Sequence, residues 1–303
     1  MVGRFEIVDA QVHLNMVGIE AGIIAMDAVG VDALVIDEFW GFDSEGRPEP
    51  SYLLPGGSVR HISPLAELAV AQHPQRFAYL TRCQPDDPDI ESVIGGLRDR
   101  PGRLALRLLP YVPVPPDRGE VPEIGEALAA YSARIRSGAY DRYLSVAERH
   151  AVPLFIQING LGARGDLDLL EWILQRHPGL PLVIDHMGVA LPGSPGHRPH
   201  RFDQFPDIAA LARYDNLFVK WGHAPRLSEE GYPFPDVLAA LHGVVAAFGA
   251  RRVMWASDWT LDLAFNSWAE SLHCIRDDAQ LSEDEKAWIL GRSVRELLGW
   301  SRD

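Results

Sequence analysis

Cysteine is almost missing from this chain: its 303 residues hold only Cys83 and Cys274, far apart and in no Cys-x-x-Cys pair. A disulfide framework or a cysteine zinc site within the chain is thereby excluded, and redox chemistry has no support. Long apolar runs are missing too. No window approaches the roughly 18 uninterrupted apolar residues of a membrane span, and the start of the chain carries no stretch of signal-peptide length. The expectation is a soluble, cytoplasmic protein with no membrane partner. Basic residues are outnumbered, 28 Lys plus Arg against 42 Asp plus Glu, for a formal net charge of −14. Such a surface repels phosphate backbones, so nucleic acid is not an expected partner. Internal repeats and low-complexity tracts are absent.

What is present is apolar material for a large core, 47% hydrophobic against 23% charged, which leaves no case for disorder. Eight short apolar runs recur: Phe5 to Asp9, Ala33 to Ile36, Phe77 to Leu80, Leu104 to Leu108, Leu154 to Ile158, Leu182 to Asp185, Leu217 to Val219 and Val253 to Ala256. Between most of them lie stretches with helical spacing, such as Leu65 to Gln72, Tyr140 to Arg149, Leu167 to Arg176 and Val237 to Phe248. This alternation predicts parallel strands joined by crossovers, and runs apolar at nearly every position need cover on both faces. The expected fold is an α/β (β/α)8 TIM barrel, residues 1–303 as one domain, with C-terminal helices and Ser282 capping one of them. Three long connections, Glu38 to Ser63, Pro110 to Pro122 and Met187 to Phe202, are expected as lids.

In such a barrel the chemistry sits where strands end. The first run continues into Gln11 and His13, which share one side of a strand by its period of two. Later runs end in Gln157-Ile158-Asn159, Asp185-His186, Lys220-Trp221-Gly222-His223 and Ser257-Asp258-Trp259. Asp9-Ala10-x-x-His13, Asp185-His186-x-Gly188 and Ser257-Asp258-Trp259 together resemble the amidohydrolase superfamily, in its amidohydrolase-2 branch. The resemblance runs from Asp9 to Ile289-Leu290-Gly291. It implies lactonase, decarboxylase or hydratase activity. In metal-dependent members the first strand carries His-x-His, the fifth another His and the eighth Asp. Here Gln11 and Gln157 stand where two of those imidazoles are expected, while His13 and Asp258 match. An amide oxygen replaces imidazole poorly as a zinc ligand. The expectation is therefore no cofactor and weak or no metal binding, as the resemblance to pyrone-dicarboxylate lactonases also implies.

Hydrolysis without a metal needs a base for water and donors for the oxyanion. Asp258 is the expected base, with its affinity for protons raised by the apolar bulk of Trp259. His13 and His186 are expected to polarise the carbonyl or protonate the leaving oxygen, and Gln11 and Gln157 to hydrogen-bond. Arg82 and Arg107 are unusual places for a permanent charge. They are read either as a clamp for a small anionic substrate or as members of an internal salt bridge with Asp37 or Glu38. His223 and Arg226 are read as substrate contacts or solvated loop residues. Gly160 to Gly165 fits G-x-G-x-x-G, but its mid-chain place and the Asp185-His186 pair that follows speak for a loop rather than a nicotinamide site. Phe39, Trp40 and Phe42 suit a lid or a subunit interface in a homo-oligomer. The leading function is a metal-independent lactonase. The alternatives are a decarboxylase or hydratase using the same pocket, or an inactive barrel that binds.

Overall fold

Strands without a polar face must be covered on both sides, and the computed structural model covers them by curling the sheet on itself. It describes residues 5–41, 49–108, 132–157, 163–188, 202 and 205–301, the side chains of 163–166 excepted. Among these are ten strands: β1 (Val8–Val12), β2 (Ala33–Ile36), β3 (Ser51–Leu53), β4 (Val59–His61), β5 (Phe77–Arg82), β6 (Arg103–Leu108), β7 (Leu154–Ile156), β8 (Leu182–Ile184), β9 (Leu217–Trp221) and β10 (Val253–Trp255). Eight of them form one parallel sheet in the order β1-β2-β5-β6-β7-β8-β9-β10. Each predicted run lies on one of these eight, and helices follow most of them, so the chain is a (β/α)8 barrel.

Side chains that alternate along the strands build two cores. Leu34, Ile36, Leu106, Leu154, Ile184 and Val219 face outward and pack under the helices. Val35, Ala78, Ala105, Phe155, Val183 and Met254 face inward, where Val294, Leu298 and Trp300 of the chain's end join them. Burying each large apolar side chain contributes about 1.5–3 kcal/mol.

Strand β1 breaks the alternation, and the site depends on that break. Three steps along β1, from Asp9 to Val12, match two along β2, from Leu34 to Ile36, so one extra residue is inserted. Ala10 belongs to the inner core, yet Gln11 and His13 also reach the barrel mouth. Asp9 turns the other way. Its carboxylate accepts from the Ser257 backbone N–H at 2.9 Å, the Ser257 hydroxyl and the Trp268 indole N–H at 2.8 Å. Between β1 and β10 no ladder pairing is recorded, so this carboxylate, with the Asp258 N–H on the Gln11 carbonyl at 3.2 Å, ties first strand to last.

The connection Glu38 to Ser63 is not the structureless loop expected. Antiparallel β3 and β4 form a hairpin within it, and the Arg60 guanidinium latches that hairpin to Asp87, with Nε at 2.7 Å. The Pro110 to Pro122 connection, Phe42, and Gly160 to Gly162 lie outside the described residues, as does Met187 to Phe202 apart from its ends; Ala163 to Gly165 open the helix Ala163–Arg176. Ser282 caps its helix as expected, in a reciprocal box with Glu285. No described helix is long and apolar enough to cross a membrane. Cys83 and Cys274 are both buried free thiols.

Candidate active site

The inward positions at the carboxyl ends of the strands are polar, and their side chains form one connected chain. It starts at Arg82 on β5, which donates to the Glu38 carbonyl at 2.8 Å and pairs with Asp37 after β2. Arg107 on β6 takes the other oxygen of Asp37 at 3.0 Å, donates to Gln157 Oε1 at 3.1 Å and pairs with Asp185 after β8. Lys220 on β9 contacts Asp185 at 2.6 Å and the Gln11 side-chain oxygen. Gln11 Nε2 then donates to Asp258 Oδ2 at 2.8 Å. His223 Nε2 meets the same oxygen at 2.9 Å, and its Nδ1 meets Asp262 at 2.6 Å. Arg226 closes the series 3.5 Å from Asp262.

The sequence-predicted site residues all lie at the barrel mouth, and all but half-buried Gln157 and Arg226 are buried. Arg82 and Arg107 are both salt-bridged to Asp37, one of the two partners considered for an internal bridge. Phe39 lies under the Arg82 guanidinium at 4.8 Å, and the Trp40 indole donates to the Glu38 carboxylate at 2.7 Å. Lys220, Asp37, Asp185 and Asp262 were not singled out as site residues. For Lys220 a signal was present, because a lysine inside the apolar run Leu217–Trp221 is as anomalous as Arg107 in its own strand.

The two oxygens of Asp258 differ. Oδ2 is anchored by Gln11 and His223, whereas buried Oδ1 has no hydrogen bond among the described residues and meets His13 Nε2 at 3.3 Å. His13 is oriented by its Nδ1–H, which donates to the Asp37 carbonyl at 2.7 Å. His186 leans on the His223 ring, centroids 4.2 Å apart, and its buried Nδ1 has no hydrogen-bond partner among the described residues. Its neighbour Gly222 leaves the ring room, since a Cβ at that position would stand 3.1 Å from His186 Nδ1, closer than ordinary contact. His186, His223 and Asp258 all have left-handed backbones, with φ of 47°, 57° and 51°. For non-glycine residues this conformation costs free energy that the surrounding structure must offset, and it gathers at functional sites.

Charge separates the two facing histidines. Burial works to strip the proton from His223, but Asp258 and Asp262 outweigh it and hold the ring up at about 9, an imidazolium at neutral pH. Burial and then the His223 charge push His186 well below the usual histidine range, so it stays neutral. For Asp258, burial raises its affinity for protons, but the charges of His223 and His13 and the His223 hydrogen bond bring it down to about 2. The expected upward shift from Trp259 is thus reversed: nearby cations win over apolar bulk. Burial of Asp37 is likewise outweighed by Arg82 and Arg107, which hold it well below the carboxylate range. Burial and Arg107 draw Lys220 down, opposed by Asp37 and Asp258.

Donor atoms of His186, His223 and Asp258 lie within 4.8 Å of one another, as ligands of one ion would. The set fits a divalent ion poorly. Both ring nitrogens of His223 are taken up by carboxylates, Nε2 by Asp258 and Nδ1 by Asp262. Gln11 offers its only ligating atom to Lys220 and turns its NH2 toward Asp258.

Comparison with known proteins places this architecture. Over 143 residues, 46% of this chain and 43% of the relative, the sequence is 30% identical to the D-galactarolactone isomerase of Agrobacterium fabrum. Over 79 residues, 26% of this chain and 25% of the relative, it is 32% identical to the 4-sulfomuconolactone hydrolase of Rhizobium radiobacter. The matched stretch thus spans less than half the length of either curated relative. Among solved structures, a zinc-bound amidohydrolase from Burkholderia multivorans superposes with a TM-score of 0.67 at 13% identity, covering 97% of this chain and 99% of that one. A putative 2-pyrone-4,6-dicarboxylic acid hydrolase from Pseudomonas putida gives 0.63 at 20% identity, covering 99% of each chain. These structural likenesses establish the fold. The amidohydrolase-2 sequence profile matches residues 65–300, most of the barrel and three of the four strand ends that surround Asp258, and the chain belongs to the amidohydrolase family.

Proposed function

We propose that the protein is a metal-independent hydrolase that opens a lactone or similar cyclic ester of a small carboxylated molecule. The observation that carries this reading is Asp258, a buried carboxylate with one oxygen anchored twice and the other free to accept a proton. Lactone-acting relatives support the substrate class.

In the proposed reaction, water bound at Asp258 Oδ1 gives its proton to that oxygen as its own oxygen adds to the carbonyl carbon. Neutral His186 polarises the carbonyl oxygen, a role that a neutral imidazole fills as a hydrogen-bond donor, while His13, its Nδ1–H given to the Asp37 carbonyl, flanks the reacting carbonyl beside Asp258 Oδ1. The fixed charge on His223 lowers the energy of the oxyanion. When the ring C–O bond breaks, the proton held by Asp258 passes to the leaving oxygen, giving a hydroxy acid and restoring the carboxylate. Gln11 holds Asp258 in place. Arg82 and Arg107, permanent charges with a planar fork suited to carboxylates, favour an anionic substrate. Arg82, Arg107 and Gln157 are proposed to line its carboxylate side.

The test is hydrolysis of sugar-acid lactones and muconolactones, followed by acid release with and without chelator. Chelator is expected to leave the rate unchanged, and Asp258→Asn to lower it by roughly 10²–10⁴-fold, the span of general-base catalysis. A fully active Asp258→Asn protein overturns the assignment, and loss of activity with chelator overturns metal independence. Likeness to an isomerase favours one second reading, in which Asp258 deprotonates a substrate hydroxyl that attacks the carbonyl in place of water. Product analysis separates the two, since only hydrolysis releases an open-chain acid.

A further inference from the structure

Lys220 is the most deeply buried basic side chain of the site, with none of it exposed, and it is surrounded by acceptors. Its Nζ meets Gln11 Oε1 and, at 2.6 Å, Asp185 Oδ1, and it lies 5.6 Å over the Phe155 ring. The Asp258 contact settles which way the Gln11 amide points. An ionised carboxylate accepts only, so Asp258 must face the amide NH2, which leaves the amide oxygen to accept from the Lys220 N–H. The reverse orientation would set oxygen against oxygen at Asp258. Each end of Gln11 thus enforces the other.

We propose that Lys220 is the positioning residue that makes Gln11 a donor to Asp258, and that its amino group stands at Gln11 in place of a divalent ion. The Lys220 N–H holds the amide oxygen, so the NH2 is aimed at Asp258 Oδ2. A metal bound beside Asp258 would find the only ligating atom of Gln11 already taken. Substituting the amide alone is therefore not what keeps an ion out. This inference rests on the reading of Asp258 as the base, but its test does not use turnover.

Cobalt(II) is titrated into the wild-type protein, Gln11→His, Lys220→Met and the Gln11→His/Lys220→Met double variant, and the visible absorption of the bound ion is recorded. Restoring the imidazole while Lys220 remains is expected to give no tight site, whereas the double variant is expected to bind cobalt at least 100-fold more tightly than Gln11→His. Gln11→His binding as tightly as the double variant overturns the proposal, as does tight binding by the wild type. In parallel, the Asp258 carboxyl is titrated by carbon-13 NMR, assigned by its loss in Asp258→Asn. Lys220→Met is expected to move its midpoint upward, Lys220→Arg to restore it in part, and an unmoved midpoint counts against positioning. Should Lys220→Met fail to fold, tight cobalt binding by Gln11→His alone still overturns the proposal, and Gln11→Leu, which keeps the Lys220–Asp185 pair, is expected to shift Asp258 the same way, an unmoved midpoint counting against positioning. An active Asp258→Asn protein with these cobalt and NMR results would sink the lactonase reading and leave this one standing.

Discussion

The two ends of the barrel are made by the same eight strands and hold opposite contents. Toward the amino end the inward positions are Ala33, Ala78, Ala105, Val183 and Met254, closed off by Val294, Leu298 and Trp300. Toward the carboxyl end the same rows continue as Asp37, Arg82, Arg107, Asp185 and Asp258, all buried and almost all charged. The apolar end is stabilised by removal from water, which is non-directional and tolerant of exchange. At the polar end each group depends on the partner beside it, because a buried charge without one is very costly. Stability is therefore spread over many contacts at one end and concentrated in a few at the other.

That contrast can be broken at several strengths. Arg107→Met leaves Asp37 without its second cation and Asp185 with Lys220 alone, and is expected to cost about 3–5 kcal/mol in urea unfolding. It should also abolish lactone opening in whatever protein remains folded. Leu298→Ala, at the far end, is expected to cost about 2–5 kcal/mol while leaving the pH profile of the folded protein unchanged. A shifted profile in that variant would show that the two ends are not independent. Asp9→Asn places an NH2 group where the carboxylate now meets donors from Ser257 and Trp268, at the seam between β1 and β10. One donor is left facing another, and thermal unfolding should register a loss of about 1–3 kcal/mol.

The mildest perturbation is pH. His223 is raised to about 9 from 6.5, so its contribution is fully present below pH 6.5 and is lost as pH rises through 9. In that window stability is expected to fall by at most about 1.4 kcal/mol per pH unit, measured by denaturation at fixed ionic strength. His223→Gln should flatten the slope. Asp258, depressed to about 2, behaves in the opposite sense, with its contribution lost only as pH falls toward that value.

The barrel was readable because parallel strands covered on both faces leave an apolar signature that no other element copies at that length. All eight runs appear as strands, and the strand-end residues do converge. The first boundary slipped by three residues, from Phe5 to Val8, because Asp9 and Gln11 make β1 look finished before its bulge. The β3–β4 hairpin was hidden among glycines and prolines. Lys220 carried the same anomaly as Arg107, but its role was not legible beside it, because its partners Gln11 and Asp185 come from elements 209 and 35 residues away in sequence. Asp258 shows the same gap in energetic form. Its neighbour in sequence, Trp259, suggested one direction of shift, whereas His13 and His223, brought in by folding, impose the other.

The left-handed backbones at His186, His223 and Asp258 have a consequence for the protein's descendants. Glycine would relax all three positions at once, so a lineage or laboratory library selected on heat resistance alone, with no demand for turnover, should drift toward glycine or asparagine there. Retention of the bulkier side chains under such pressure would be a signature of chemistry still being used.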